Sequence, residues 1–188
     1  MKKKYSIENI DSFISKNKIL KTFLSNDDLV RMHRDWYLGY PINFHDFLWS
    51  LFNKSILING EIFGKTGNEI MFCMNATILY RHMARFRLEE GASNKTINRF
   101  MRLAFESEIQ QFKIEALNID LEYKVTVIGS PNGECGYAKS VNAKKYEFDD
   151  FIEKCQIATD KCTDSLFCRC CLAKIPKRDE NGRLVRKN

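Results

Sequence analysis

The stretch that decides the fold runs from residue 66 to residue 117, TGNEIMFCMNATILYRHMARFRLEEGASNKTINRFMRLAFESEIQQFKIEAL. Its first four residues, which begin at Thr66, form a capping box that predicts a long helix reaching Glu90. Gly91 ends that helix, and Ser93 is a capping residue for a second one. Because only a short link joins the two helices, we expect them to pack as an antiparallel hairpin.

Each of these two helices carries an apolar face, since its apolar residues recur three or four positions apart. The face of the first helix consists of Met71, Met74, Ile78, Leu79, Met83 and Phe86. The face of the second consists of Ile97, Phe100, Met101, Ala104, Phe105, Ile109, Phe112 and Ala116. We expect both faces to pack into the core of a helical bundle.

The residues that precede this hairpin are also typical of helices. Ser25 is followed by acidic residues, which predicts a helix start, and that helix should run to about Tyr37. A further helix is expected from Phe44 to about Asn53. Residues 5–120 are therefore predicted to form an all-α bundle or a short helical stack.

A glycine-rich segment just before the hairpin has some features of a phosphate-binding loop. It lies between an apolar run and a predicted helix, which is the usual context of such a loop. However, Gly60 and Gly64 enclose three residues where the loop needs four. We therefore interpret Thr66 as the cap of the long helix rather than as a phosphate ligand.

The pattern changes after the hairpin. Residues 123–128 are β-branched and alternate in polarity, which predicts a strand. A second short strand is expected around residues 145–148, followed by a helix from about 149 to 157. We predict a small α+β module over residues 121–176 and a basic tail over 177–188, so the fold class is mainly α with a small appended α+β module.

Six of the seven cysteines lie in the C-terminal third, whereas Cys73 lies alone in a predicted helix. Clustered thiols in a reduced chain favour a metal over disulfides, and zinc prefers four thiolates in a tetrahedron. The preferred ligand set is Cys135, Cys162, Cys168 and Cys170. An alternative set is Cys155, Cys162, Cys168 and Cys171, which has the more usual C-x-x-C spacing. Spacing does not separate the two sets, and free buried thiols are the competing interpretation.

The run Cys135-Gly136-Tyr137-Ala138, followed by Lys145-Tyr146-Glu147-Phe148-Asp149, Cys162 and Cys168-Arg169-Cys170, resembles a known cysteine module. Similar modules occur in uncharacterised bacterial zinc-binding proteins and in the C-terminal part of Mu F-like phage head morphogenesis (minor capsid) proteins.

The resemblance covers residues 99–176, and it includes Arg102 and Glu106 on the preceding helix. It implies a structural zinc site at Cys135, Cys162, Cys168 and Cys170, and a phage or mobile-element setting. The chain departs from the pattern at Ala138, which stands where the module has a second cysteine. It also has Cys162 where the phage proteins have a histidine.

Charge is concentrated at the two ends. The net charge is +6, of which the ends carry +7 and residues 5–172 carry −1. Basic ends can bind nucleic acid or an acidic partner, although they also keep a protein soluble. No apolar run is long enough for a membrane span, and the segment after the initial MKKK is too polar for a secretory signal. We expect a cytoplasmic protein, or a virion-associated one if the phage resemblance holds.

Other candidate residues point to binding rather than catalysis. Arg34, Trp36 and Tyr37 form an aromatic and basic group to which a partner could dock, while packing of Trp36 against a neighbouring helix is the plainer interpretation. Lys177 and Arg178 are further candidates for partner binding. No histidine follows His82, which argues against a metal-dependent nuclease. We predict no catalytic residues, and the expected function is a zinc-stabilised interaction or assembly protein.

Two other functions remain open. One is nucleic-acid binding through the basic ends, and the other is a metal-dependent hydrolase that would need a histidine near the cysteines.

Overall fold

The computed structural model describes residues 10–39, 44–129, 135–159, 161–162 and 168–187. Within these ranges the protein is mainly helical with one small antiparallel sheet near the C-terminus, so the predicted fold class is confirmed. No helix in the described ranges combines the length and the apolar character needed to cross a membrane. The elements in chain order are α1 (Ile10–Lys16), a 3-10 helix (Lys18–Thr22), α2 (Asn26–Gly39), α3 (Phe44–Thr66), α4 (Glu69–Glu89), α5 (Asn94–Leu117), β1 (Tyr123–Ile128), α6 (Gly136–Val141), β2 (Lys145–Tyr146), α7 (Phe148–Lys154) and β3 (Cys171–Pro176).

A first hydrophobic core lies among the helices from α1 to α4. Phe52 and Leu79 are fully buried there, and Phe86 lies beside them. The rings of Phe13, Phe52 and Phe86 contact one another at centroid distances of 5.7–5.8 Å. Such aromatic packing adds to the free energy gained from burial, so this cluster fixes how α3 and α4 pack on α1.

Helix starts follow local capping chemistry. The predicted start of α2 is confirmed, because the Ser25 hydroxyl accepts the Asp28 amide while the Asp28 carboxylate accepts the Ser25 amide. The cap of α4 lies two residues later than predicted. Asn68, not Thr66, accepts the Met71 amide at 3.0 Å. Thr66 is the last residue of α3, where its hydroxyl donates to the Ile62 carbonyl.

The predicted end of the third helix near Asn53 is wrong, since α3 continues through both of its glycines to Thr66. The buried residues Ser55 and Asn59 explain the extension. The Asn59 amide donates to the Phe72 carbonyl of α4, and its oxygen accepts from Asn75. These contacts with α4 offset the cost of glycine within a helix, and the glycine-rich segment forms no loop.

The apolar face predicted for α4 divides into two. Leu79, Met83 and Phe86 are buried in the first core as expected. Met71 and Met74 are instead about half exposed, at 50% and 45%, and lie outside both cores. Successive apolar residues spaced three or four positions apart do not lie on one straight line along the helix. A long series of them therefore spreads around the helix, and the neighbouring helices bury only part of it.

The sheet has the order β2-β1-β3, with β1 pairing antiparallel to both neighbours. The prediction of β1 at residues 123–128 is confirmed, and β2 is shorter than expected. The sequence analysis missed β3, which pairs along all of β1 from Tyr123 opposite Pro176 to Ile128 opposite Cys171. It also missed α6.

A second core joins the sheet to the long helix α5. Val125 and Val127 of β1 point into it, and Phe105 of α5 is fully buried beside them. Phe151 of α7 completes the packing. The helix α5 therefore contributes its buried face to the core of the C-terminal module, although the domain boundary predicted from sequence falls after it at residue 120. That boundary stays a prediction.

Residues 177–187 fold back on the protein instead of extending from it. Arg178 and Leu184 form an isolated antiparallel bridge. The Lys177 ammonium contacts the Glu122 carboxylate at 2.6 Å, and the Arg186 guanidinium contacts Asp120 at 3.0 Å. The segment named as a basic tail thus pairs part of its charge with acidic residues that precede β1.

His82 provides a test of the first core. Its Nδ1 lies 2.8 Å from the Asn17 side-chain oxygen, and Asn17 is itself buried and anchored to the Phe13 carbonyl. Burial, with a smaller contribution from Arg85, lowers the pKa of His82 below its ordinary value of 6.5. The unfolded chain therefore binds a proton more readily, and stability should fall as the pH drops below 6.5.

We expect the free energy of unfolding of His82→Gln to decrease less than that of the wild type when the pH is lowered from 7.5 to 5.5. Glutamine does not titrate in this range, and it retains a donor for Asn17. Urea unfolding at both values measures this difference. An equal loss in the two proteins would contradict a lowered pKa at His82.

Candidate metal centre

Cys135 and Cys162 lie side by side at the edge of the second core. Cys135 is the N-cap of α6, and its sulfur accepts the Ala138 amide at 3.4 Å. The two sulfurs, Cys135 Sγ and Cys162 Sγ, are 3.5 Å apart. Two thiolates bound to one tetrahedral zinc would be separated by about 3.8 Å, given a Zn–S bond of about 2.3 Å. This pair of side chains therefore already has nearly the spacing that a zinc ion requires.

Cys168 and Cys170 lie just before β3 and are both buried, at 0% and 2% exposure. They belong to the same core as Cys135, because β3 returns alongside β1. The Cys168 amide donates to the Asn98 side-chain oxygen of α5 at 3.1 Å. Asn98 also donates to the Thr159 carbonyl at 3.3 Å. A single residue of α5 therefore holds the backbone on both sides of Cys162, at Thr159 and at Cys168.

The thiol of Cys168 interacts with those of Cys162 and Cys170. The contact with Cys162 is the largest influence and lowers the pKa of Cys168, but interactions with Cys170 and burial outweigh it and raise the pKa to about 12. The thiols thus form a chain of contacts in the order 135, 162, 168 and 170. All four belong to the second core or pack against it.

Arg102 fixes the segment between these cysteines. Its guanidinium donates to the Cys155 carbonyl at 2.7 Å and to the Ile157 carbonyl at 3.2 Å, and it also contacts the Ile152 carbonyl. These carbonyls lie at the C-terminal end of α7 and just beyond it, where helix carbonyls lack partners and a cation is favourable. Arg102 therefore anchors the loop that leads from α7 to Cys162.

Sequence reasoning did not single out Asn98, and it noted Arg102 only through the resemblance. A signal for Asn98 was available, because a polar residue there stands between Ile97 and Met101 on the apolar side of the helix. Buried polar residues in such positions require a partner. Without the fold, however, that partner could not be identified as the backbone of the cysteine loop.

Two cysteines of the alternative ligand set, Cys171 and Cys155, differ in their surroundings. Cys171 is exposed on β3, because side chains alternate along a strand and its neighbours Cys170 and Leu172 point inward. Cys155 is fully buried, and its thiol interacts with the hydroxyls of Tyr137 and Tyr146. Cys171 is thus the one exposed cysteine of the two sets, and the choice of ligand set stays a prediction.

The arrangement stops short of a formed coordination shell. Across the described ranges, no three side chains of His, Cys, Asp or Glu are arranged to hold a metal ion. All seven cysteines lie within those ranges, and none forms a disulfide. Chemically, the four thiols can supply soft ligands for zinc, and they can also persist as buried apolar groups.

The histidines contact other parts of the protein. His82 contacts Asn17, and His45 contacts the Glu90 carboxylate at 3.1 Å. The His33 ring packs against Phe47, with centroids 6.2 Å apart. Each of these contacts is with the N-terminal helical part.

The residues predicted to bind a partner lie in two separate regions. Arg34 is exposed on α2 and pairs with Asp35 at 3.5 Å, while the side chains of Trp36 and Tyr37 fall outside the described part of the chain. Lys177 and Arg178 follow β3.

A hydrogen bond to Glu122 raises the pKa of Lys177, so this ammonium remains charged but is already paired. Arg178 donates to the Gly182 carbonyl at 2.7 Å. In comparisons with protein-family models, curated proteins and solved structures, nothing matches this chain.

Proposed function

We propose that this chain is a non-catalytic, zinc-stabilised interaction or assembly protein, with Cys135, Cys162, Cys168 and Cys170 as the zinc ligands. The observation that carries the proposal is the chain of thiol contacts that joins three separate segments in one core. Zinc bound by four thiolates would crosslink these segments and leave no open position for water or substrate.

The local structure around the cysteines supports a need for such a crosslink. Between β1 and β3 the described chain has only two short helices and a two-residue strand, β2. Small units with little regular structure commonly depend on a metal or disulfides for stability. Hydrogen bonds of Asn98 and Arg102 hold the backbone of this segment. Zinc binding would therefore require little further ordering of the chain to bring the four thiols together.

A hydrolase is less well supported by these contacts. A catalytic zinc needs an open coordination position and usually a histidine, whereas the ligands proposed here are thiolates only. The described contacts of all three histidines are made with the N-terminal helical part.

A protein partner is favoured over nucleic acid because three of the six cations near the C-terminus are paired with carboxylates. Lys174 contacts Glu115 at 2.7 Å, Lys177 contacts Glu122, and Arg186 contacts Asp120. Phosphate binding relies on cations that release counterions from the nucleic acid, and paired cations contribute less to it.

The partner would contact Arg34, Trp36 and Tyr37 or Lys177 and Arg178. The resemblance to phage head morphogenesis proteins suggests a phage or mobile-element setting for that partner.

Native mass spectrometry tests the metal. Protein purified under reducing conditions without added metal is expected to carry one zinc ion per chain. Metal-free protein whose cysteines all react readily with a thiol reagent would overturn the zinc site.

The choice of partner has its own test. Fluorescence anisotropy with a labelled DNA duplex at 50 and 200 mM salt, run on the wild type and on K177Q/R178Q, is expected to show no specific binding. Strong, salt-sensitive binding that K177Q/R178Q loses would replace the protein partner with nucleic acid. Crosslinking with cell proteins should give an adduct that R34Q or K177Q/R178Q loses and K21Q retains.

A further inference from the structure

A cavity of about 670 Å³ opens between the N-terminal half of α5 and the loop that follows α7. Its volume lies within the range of pockets that hold small organic ligands. The polar part of its wall includes Lys95, Asn98, Arg99 and Arg102 on successive turns of α5. Leu103, Ala158, Thr159 and Cys162 also line the cavity.

Two cations of this cavity are uncompensated. Lys95 and Arg99, one turn apart on α5, make no ion pair or side-chain hydrogen bond with any residue that the structure describes. Arg102 is engaged with backbone carbonyls but keeps its charge. The acidic residue in the wall, Glu106, lies 3.9 Å from Arg102 at its nearest. With Cys162 as a neutral thiol, the described residues of the wall carry a net charge of +2, from three cations and one carboxylate.

The start of α5 strengthens this positive potential. The Ser93 hydroxyl caps the helix by accepting the Thr96 amide at 3.3 Å, and Asn94 and Lys95 of the first turn line the cavity. Because the positive end of the helix dipole lies at this first turn, an anion bound beside Asn94 and Lys95 would be stabilised by the helix as well as by the side chains. Leu103 and Ala158 offer an apolar surface for the rest of a ligand.

From these features we infer that the cavity binds a small organic phosphate of nucleotide size, with Lys95 and Arg99 contacting the phosphate group. Arginine donates to phosphate oxygens through two parallel N–H groups, and lysine adds a mobile point charge. A doubly charged phosphate matches the net charge of the wall better than a single carboxylate. The inference goes beyond the proposed function, and both phosphate-binding cations belong to α5 rather than to the segment that carries the proposed zinc ligands.

The test is a titration of the full-length protein with inorganic pyrophosphate and with AMP at low ionic strength, followed by amide chemical shifts in NMR spectra. Saturable shifts are expected around residues 94–103 in the wild type. The double variant K95Q/R99Q should bind both probes at least about tenfold more weakly. The matched control is K21Q/R183Q, which removes the same charge from exposed positions outside the cavity and should bind as the wild type does.

A 5′-phosphorylated decathymidylate identifies the source of the phosphate. Affinity equal to that of AMP supports a small-molecule ligand or a strand end, and a much higher affinity supports a nucleic-acid strand crossing the same cations. Absence of saturable binding, or equal weakening in the two double variants, would overturn the inference.

Zinc content measured on the same samples keeps the two proposals apart. If K95Q/R99Q lost its zinc and the wild type bound no phosphate, the cations would serve to balance the nearby thiolates, and the phosphate site would be refuted. Phosphate binding by a protein without zinc would support this inference while refuting the metal site.

Discussion

Changing Cys168 and Cys170 together to serine is expected to abolish zinc binding and to remove the cooperative unfolding of the C-terminal third. Both thiols are buried in the second core, and they follow Cys162 in the chain of contacts. Structural zinc sites in small domains contribute on the order of 10 kcal/mol or more, which is comparable to the whole stability of a typical domain. Native mass spectrometry gives the zinc content, and urea unfolding followed by near-UV circular dichroism gives the cooperativity.

Two single substitutions provide matched controls. Cys171 is the exposed neighbour of Cys170, and Cys73 is a buried thiol of α4. We expect Cys171→Ser and Cys73→Ser to keep one zinc ion, and Cys170→Ser to lose it. Zinc retained by the Cys168/Cys170 double variant would contradict the proposed ligands. Zinc lost with Cys171→Ser and kept with Cys170→Ser would identify the alternative ligand set.

Replacing Phe105 with alanine is expected to lower the free energy of unfolding by about 3–5 kcal/mol. This ring is fully buried in the core that α5 shares with β1 and α7. Removing the ring leaves a cavity among α5, β1 and α7, and these packed elements cannot readily move together to close it. Urea denaturation of the purified variant, compared with the wild type, measures the loss.

The control for this substitution lies at the end of the same helix. Leu117 is 75% exposed, so Leu117→Ala should change the free energy of unfolding by less than about 0.5 kcal/mol. A loss below about 1 kcal/mol for Phe105→Ala would mean that α5 is not packed into the C-terminal core. The result would then favour a domain boundary after the helix, near residue 120.

Many features of the fold could be predicted because they depend on neighbouring residues. The reciprocal hydrogen bonds of Ser25 and Asp28 are encoded three positions apart, and so is the cap of α5 at Ser93. The alternation in residues 123–128 likewise marks β1. In each case the signal is local. A cap bonds to a residue within the first helical turn, and the alternation of polarity lies within a single strand.

The missed features depend on contacts between distant segments. The strand β3 contains Ala173, Lys174 and Pro176, which are weak strand formers, and it exists because its backbone pairs with that of β1 about fifty residues earlier. The extension of α3 past Gly60 similarly depends on Asn59 bonding to α4.

The candidate site shows the same division. Cysteine chemistry and the clustering of six thiols near the C-terminus are properties of the sequence, and they were enough to suggest zinc. The sequence by itself therefore determined the two long helices α4 and α5, the central strand and the types of ligand available. The tertiary structure alone decided which thiols meet, that Asn98 and Arg102 hold their backbone, and that Lys95 and Arg99 line a cavity. The physical reason is that capping and periodicity are short-range effects, whereas the position of a side chain in a core depends on every segment that packs around it.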